Sequence, residues 1–366
     1  MGSTTVRKGD FAIKVQELTP EDMKEKFPDE KSLRFGQLFT DRMFLQEYNN
    51  GDWQEAHIKK KAPFQLDPAA VVFHYGQEIF EGMKAYIHPN DEIALFRPFK
   101  NAERFRKSAV RMGMPTVDTE FFVWAIEELV KLEREWIPRL KGASLYVRPT
   151  MIATESFLGV RPSASYFYYI ILSPSGPFFP EGFKPVDIFV SAKYSRAAPG
   201  GTGEAKCGGN YAASLAASQE AIQANCQQVL WLDAAQRKYV EEVGAMNILF
   251  VIDGEIVTSP LTGTILDGVT RNSLFTLAPD LGYSIQERLI SIDEVIEGIR
   301  SGRLTEVFGC GTAAIIAPIG GLVYKENRYS INDGQVGLIA QRLYDELTAI
   351  QYGEKEDPYG WIHKIK

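Results

Sequence analysis

Prolines and glycines at Pro174, Gly176, Pro177, Pro180, Gly182 and Pro185 interrupt this chain between two long apolar stretches. Proline fixes φ and removes a backbone donor, and glycine carries the highest ordering cost, so no helix or central strand runs through such a segment. The chain has 366 residues, more than the roughly 250 to 300 at which single hydrophobic cores stop growing. Two domains of mixed α/β and α+β character are therefore expected, over 1–177 and 188–366, joined by a linker at 178–187. Apolar spacing predicts helices around 102–112 and over 120–140, and a strand at 166–172. In the second half it predicts strands at 229–232 and 247–252 and a helix over 334–350.

One lysine stands out. Lys206 lies between a glycine-rich run, Pro199 to Gly203, and a helix-like run from Ala212 to Asn225. There its amine can sit in a pocket beside exposed backbone amides, as a Schiff-base nucleophile whose pKa falls on desolvation, or it can be an ordinary surface lysine. A nucleotide-phosphate loop is excluded. That motif needs glycine before the lysine and a hydroxyl after it, whereas Ala205 and Cys207 are the neighbours here.

Downstream, Glu241-Glu242-Val243-Gly244-Ala245-Met246-Asn247 precedes the apolar run Ile248 to Ile252 and then Asp253-Gly254. This reads as a buried strand closed by a hairpin turn, with Glu242 at the strand entrance, facing either a cofactor or solvent. Gly268, at a loop-to-helix junction before Val269, Thr270 and Arg271, fits a helix N-terminus whose amides suit a phosphate. Gly309, Gly311 and Thr312 offer bare amides and a hydroxyl for a second anion contact.

These blocks, in this order and spacing, resemble the fold-type IV pyridoxal-phosphate enzymes, and among them the branched-chain amino-acid aminotransferases. The similarity extends over Phe35-Gly36, Tyr75 to Ala85, Phe96-Arg97-Pro98, Tyr146-Val147-Arg148-Pro149, Cys226 to Leu232 and Ile350 to Gly353. The resemblance implies a fold like that of D-amino-acid aminotransferase, with pyridoxal 5'-phosphate in an interdomain cleft. It implies amino transfer between leucine, isoleucine or valine and 2-oxoglutarate. Lys206 then corresponds to the Schiff-base lysine, Tyr211 to the hydroxyl that bonds the cofactor's phenolic oxygen, and Glu242 to the partner of its ring nitrogen. Arg104, the amides of Val269 and Thr270, Gly311 and Thr312 correspond to the phosphate cup. Phe35, Tyr75, Phe80, Tyr146 and Phe178 correspond to an aromatic substrate box. Arg148 and Tyr75 would take the distal carboxylate of glutamate, and the backbone near Ala313 the α-carboxylate. Leu158 matches a loop that reaches the partner subunit's pocket, which implies a homodimer.

Three positions depart from the family's mammalian members. Ala245 replaces a threonine, Phe178 replaces a tyrosine, and a redox Cys-x-x-Cys is replaced by Ala314-Ile315-Ile316-Ala317. Thiol control of that kind is therefore not expected. Three cysteines without framework spacing suit a reducing, cytoplasmic setting. A net charge of −7 and the lack of a basic stripe argue against a nucleic-acid partner. No apolar run reaches the ~18 residues of a membrane span, and four scattered histidines give no basis for a metal. The rival readings are D-amino-acid aminotransferase, aminodeoxychorismate lyase, and a non-enzymatic binder of phosphate ligands.

Overall fold

The structure is a computed structural model that describes residues 2–27, 29–178 and 182–366; part of the expected linker, 179–181, lies outside the described residues. By contacts the chain forms two compact units. The first comprises Met1–Pro180, Ala205–Gly208 and Ile350–Lys366, and the second Glu181–Glu204 and Gly209–Ala349. Two short returns to the first unit have clear physical causes. Ile362–Ile365 pairs antiparallel with Ile93–Phe96, and Ala205 and Cys207 bury their side chains in the first unit's core.

Among the described residues the first unit is built on an eleven-stranded sheet. Its middle is formed by Arg42–Asn49, Tyr166–Ser175, Ser144–Ala153 and Met83–Ile87 in that order, all antiparallel. Strand parity explains what the sheet presents. Side chains alternate faces along a strand, so Leu145, Val147, Met151 and Ala153 enter the core while Tyr146, Arg148 and Thr150 share the opposite face. The core face is covered by helices Pro98–Arg111 and Thr119–Leu132, whose Phe105, Phe121 and Phe122 pack with Phe44 and Tyr168. Aromatic side chains of this size each contribute about 1.5 to 3 kcal/mol by burial, which makes this ring cluster a main stabilising element of the unit.

The second helix starts where Asp118 accepts hydrogen bonds from the amides of Glu120 and Phe121, at 2.9 and 3.0 Å. It ends at Leu132, short of the expected 140. The buried Glu133 carboxylate there accepts from the Asp41 amide and from Arg42 Nη1, contacts that pull the chain off the helix axis.

The second unit carries a nine-stranded sheet among the described residues. Strands Val240–Val243, Gln228–Leu232, Val186–Val190, Ile315–Tyr324, Leu304–Gly311 and Met246–Ile252 follow one another, and the last pairs back to the first, closing a six-strand ring. The turn Asp253-Gly254 has φ of 52° and 82°, the left-handed pair that a tight two-residue hairpin requires. Helix Val269–Asp280 begins after Gly268. The last long helix is Leu338–Gln351; residues 332–334 form a separate short turn with Asp333 at φ 50°, so the helix starts later than 334.

Candidate active site

Each unit presents its own constellation. In the first, the Lys206 backbone is held at two points. The Phe80 amide donates to the Lys206 carbonyl at 3.0 Å and the Lys206 amide donates to Ser108 Oγ at 2.9 Å, while Gly208, two residues on, packs closely on the Glu78 carboxylate. The core positions of Ala205 and Cys207 complete this hold. A lysine fixed so firmly by its main chain leaves only its side-chain torsions to move its amine. Lys206 Nζ lies 5.0 Å from the centre of the Phe80 ring.

The guanidinium of Arg148 lies 4.7 Å from that same ring and 5.3 Å from the ring of Tyr146, favourable cation–π placements. Its Nη2 donates to Tyr146 Oη at 3.2 Å, while its buried Nε has no hydrogen-bond partner. Phe35 meets Tyr146 edge-on, with ring centres 4.8 Å apart. Gly82 is required here, because a Cβ would lie 1.9 Å from Tyr146 Oη.

Arg104 is buried in a bidentate fork with Glu81: Nε donates to Oε1 at 2.7 Å and Nη2 to Oε2 at 2.9 Å. Asn101 Nδ2 adds a third donor to Glu81 Oε2 at 2.8 Å. Burial opposes the charged form of Glu81, but Arg104, with help from Lys206 and Asn101, outweighs it and holds the carboxyl below its ordinary value. The Lys206 amine, the Arg148 guanidinium and the aromatic wall thus meet around Phe80, while the buried Arg104–Glu81 fork lies where helix Pro98–Arg111 meets the end of strand Glu78–Phe80.

In the second unit, Glu242 and Asn247 are direct cross-strand partners on the hairpin turned by Gly244 and Ala245. Glu242 lies within strand Val240–Val243 rather than at the entrance of the apolar strand. Its Oε1 accepts from Asn247 Nδ2 at 3.2 Å and from the Leu266 amide at 3.1 Å, and its Oε2 pairs with Arg196. Glu242, Arg196, Tyr211, Asn210, Ala245 and Leu266 line a cavity of about 130 Å³. Asn247 also donates to the Leu266 carbonyl at 2.9 Å. It packs so closely on Gly268 that a Cβ there would lie 2.0 Å from Asn247 Oδ1.

Helix Val269–Asp280 has no side-chain cap at its N-terminus, so its first amides, including those of Val269 and Thr270, remain suited to an anion. Strand Leu304–Gly311 runs beside Met246–Ile252 with Cys310 opposite Asn247, and Thr312 and Ala313 follow in the turn at its end. Burial, reinforced by the charge of Glu242, pushes the Cys310 thiol up to about 12.

Of the residues singled out by sequence, Phe35, Phe80, Arg104, Tyr146, Arg148 and Lys206 are gathered in the first unit. Tyr211, Glu242, Ala245, Val269, Thr270, Gly311, Thr312 and Ala313 lie in the second. Tyr75, Leu158 and Phe178 sit on the surface, outside the Lys206 cluster as described. Sequence reasoning missed Glu81, Arg196 and Asn247 as site residues. Glu81 and Asn247 lie inside the quoted motifs and were within reach, whereas nothing around Arg196 marks it.

Comparison with known proteins gives the family. Residues 78–321 match the family Amino-transferase class IV. The chain is 48% identical to branched-chain-amino-acid aminotransferase 2 of Bacillus subtilis (strain 168), over 93% of this chain and 94% of that one. It is 50% identical to a probable branched-chain-amino-acid aminotransferase of Staphylococcus epidermidis, over 93% and 95%. Among solved structures it is similar to the Escherichia coli branched-chain amino acid aminotransferase, with a TM-score of 0.73 and 26% identity, covering 89% of this chain and 99% of that one. It is also similar to the T.th. branched-chain amino acid aminotransferase with pyridoxamine 5'-phosphate, with a TM-score of 0.72 and 27% identity, over 88% and 98%. On the strength of the match to 78–321 and of near-full-length relatives at about half identity, the chain belongs to the class IV aminotransferase family.

Proposed function

We propose that this protein is a pyridoxal-phosphate-dependent transaminase that exchanges amino groups between leucine, isoleucine or valine and 2-oxoglutarate. The observation that carries the reading is the pairing of Lys206 with Arg148 around one aromatic ring, Phe80. A nucleophilic amine and a carboxylate-binding guanidinium share an apolar wall, the combination required by an enzyme that accepts both an aliphatic and a dicarboxylic amino acid.

The residues present fit the cofactor. Glu242, buried and fixed from two sides by Asn247 and Leu266, would partner the ring nitrogen, and Tyr211, on the same cavity wall, the phenolic oxygen. The uncapped amides of Val269 and Thr270, with Gly311 and Thr312, would hold the phosphate, a role that the resemblance also gives to Arg104. Bound there, the cofactor would supply the carbonyl that takes up the amino group and the ring that accepts electrons. The chain's own groups do the rest. Glu242 would keep a proton on the ring nitrogen, Lys206 Nζ would take up and return the substrate's α-proton, and Phe80 and Tyr146, with Phe35 against Tyr146, would keep water from an aliphatic side chain. Arg148 receives the distal carboxylate, and the backbone near Ala313 the α-carboxylate. Ala245 would leave that contact to the hairpin backbone, at a position where the resemblance gives the family's mammalian members a threonine.

We also propose a homodimer. Phe73 and Tyr75 are 61% and 43% exposed, Leu158 and Val160 64% and 89%. Hydrogen bonds from Val71 to Glu155 and from Phe157 to Ala69 tie their two segments together, so a second copy would cover them as one apolar patch. Among the described residues no helix is long and apolar enough to cross a membrane, and three unpaired, buried cysteines suit a reducing cytoplasm.

The test is Lys206→Ala assayed with L-leucine and 2-oxoglutarate. Turnover is expected to vanish while circular dichroism remains native. Substantial residual turnover overturns the reading, and a preference for D-amino donors would replace it with the D-amino-acid reaction.

A further inference from the structure

We infer that Glu78 is a specificity-determining residue: a fixed anion beside Arg148 that weakens its hold on a distal carboxylate and so balances dicarboxylic against aliphatic substrates. The inference rests on the reading of Arg148 given above.

Strand Glu78–Phe80 pairs with Ser144–Ala153, Phe80 opposite Thr150 and Glu78 opposite Ile152. By strand parity Glu78 shares the face of Phe80, Thr150 and Arg148, while Ile79 between them is in the core. Its carboxylate packs on Gly208 so tightly that a Cβ on that glycine would lie 1.9 Å from Oε1. This packing fixes the carboxylate. Among the described residues no ion pair joins it to Arg148, yet the two charges feel each other, and both act on the phenol of Tyr169.

Arg148 is thus left with a buried Nε lacking any partner and a carboxylate near enough to offset its charge but held away from its donors. A guanidinium in that state can still bind an incoming carboxylate by hydrogen bonds. The standing negative charge lowers the gain on doing so, and an aliphatic side chain is indifferent to it. Burial raises the Glu78 carboxyl above its ordinary value, against the pull of Gly208 and Arg148, so the environment tolerates this charge at a cost. Glu78 also serves the amine, because its grip on Gly208 and the bond from the Phe80 amide to the Lys206 carbonyl come from opposite ends of one short strand.

Glu78→Gln separates the two roles, since it keeps the shape that packs on Gly208 and removes the charge. On the holoenzyme we would measure KM for 2-oxoglutarate and leucine, and inhibition constants for glutarate and 4-methylpentanoate. The expected result is a 2-oxoglutarate KM and glutarate constant lower by about three- to tenfold, with the branched compounds moved less than about twofold. Unchanged dicarboxylate constants, or equal shifts for both classes, overturn the proposal. Glu78→Ser guards against poor folding of the first variant. It should show the same dicarboxylate gain together with a lower kcat, because the Lys206 loop loses its tether. Arg148→Met separates this idea from its premise. If that variant loses dicarboxylate binding selectively while Glu78→Gln changes nothing, only the role of Glu78 fails; if it spares the dicarboxylates, both fail.

Discussion

Arg104 and Glu81 form a buried two-point ion pair, with Nε donating to Oε1 at 2.7 Å and Nη2 to Oε2 at 2.9 Å. The pair aims the guanidinium proposed to meet the cofactor phosphate, since a planar fork locked on one edge has its other edge oriented. Glu81→Gln is therefore expected to weaken cofactor binding as well as folding. Removing one partner of a fully buried pair costs roughly 3 to 5 kcal/mol, because the remaining charge stays desolvated. The folded-state pKa of Glu81 is held below the ordinary 4.5 by Arg104, so its stabilisation is present above that value and is lost as pH falls below it. Urea unfolding at pH 7 and in the acid range checks the sign. The difference between wild type and the Gln variant should shrink on acidification; a difference that grows would refute it.

Adjacent carboxylates on strand Val240–Val243 should behave differently. Glu242 is held by Asn247, Leu266 and Arg196 at the cavity wall, whereas Glu241 points to the other face and accepts from Thr264 Oγ1. Glu242→Gln should lower kcat by several orders of magnitude, because the loss falls on the transition state. Burial already biases Glu241 toward its neutral form, by raising its pKa, so Glu241→Gln should leave kcat within about threefold. Steady-state rates of the two variants decide, and the reverse ranking would show that the partner of the ring nitrogen has been misassigned.

Mild oxidants should not regulate this enzyme. All three thiols are buried; burial raises the pKa of Cys226 and pushes that of Cys310 up to about 12, which leaves very little thiolate to react at neutral pH. Activity after millimolar peroxide, with and without a dithiol, is the measurement. A loss that the dithiol reverses would contradict the expectation.

What the sequence disclosed and withheld follows from the range of the interactions. The Asp253-Gly254 hairpin depends on neighbours one or two residues away, and it was legible. The end of the helix at Leu132 was not, because the Glu133 carboxylate that stops it acts on Asp41 and Arg42, far away in the chain. The same holds at the site. Arg104 was found by its motif, but its fork with Glu81 joins a strand end to a helix, and Arg196 reaches Glu242 from a loop with no local pattern to mark it. The attachment of residues 205–208 to the first unit also escaped a reading by halves, since it depends on Ser108, Phe80 and Glu78 meeting that segment in space.

Arg148 faces two demands that a single substitution can separate. An aliphatic side chain gains from the Phe35, Phe80 and Tyr146 wall by burial, about 25 cal/mol per Å² of apolar surface, and asks nothing of a charge. A distal carboxylate must exchange water for a fixed donor fork. Arg148 has donors to give: its Nη2 holds Tyr146 Oη and its buried Nε holds nothing. Arg148→Met keeps much of the side chain's bulk against Phe80 and deletes the donors. The glutamate half-reaction should slow relative to the leucine half-reaction by tenfold or more, about 1.4 kcal/mol, when each is followed by single-turnover absorbance. Tyr146 loses a hydrogen-bond donor in this variant, so a small common loss in both half-reactions is expected beneath the difference. Equal losses with no divergence would reduce Arg148 to a support for the aromatic wall, and the acceptance of glutamate would then need another cation.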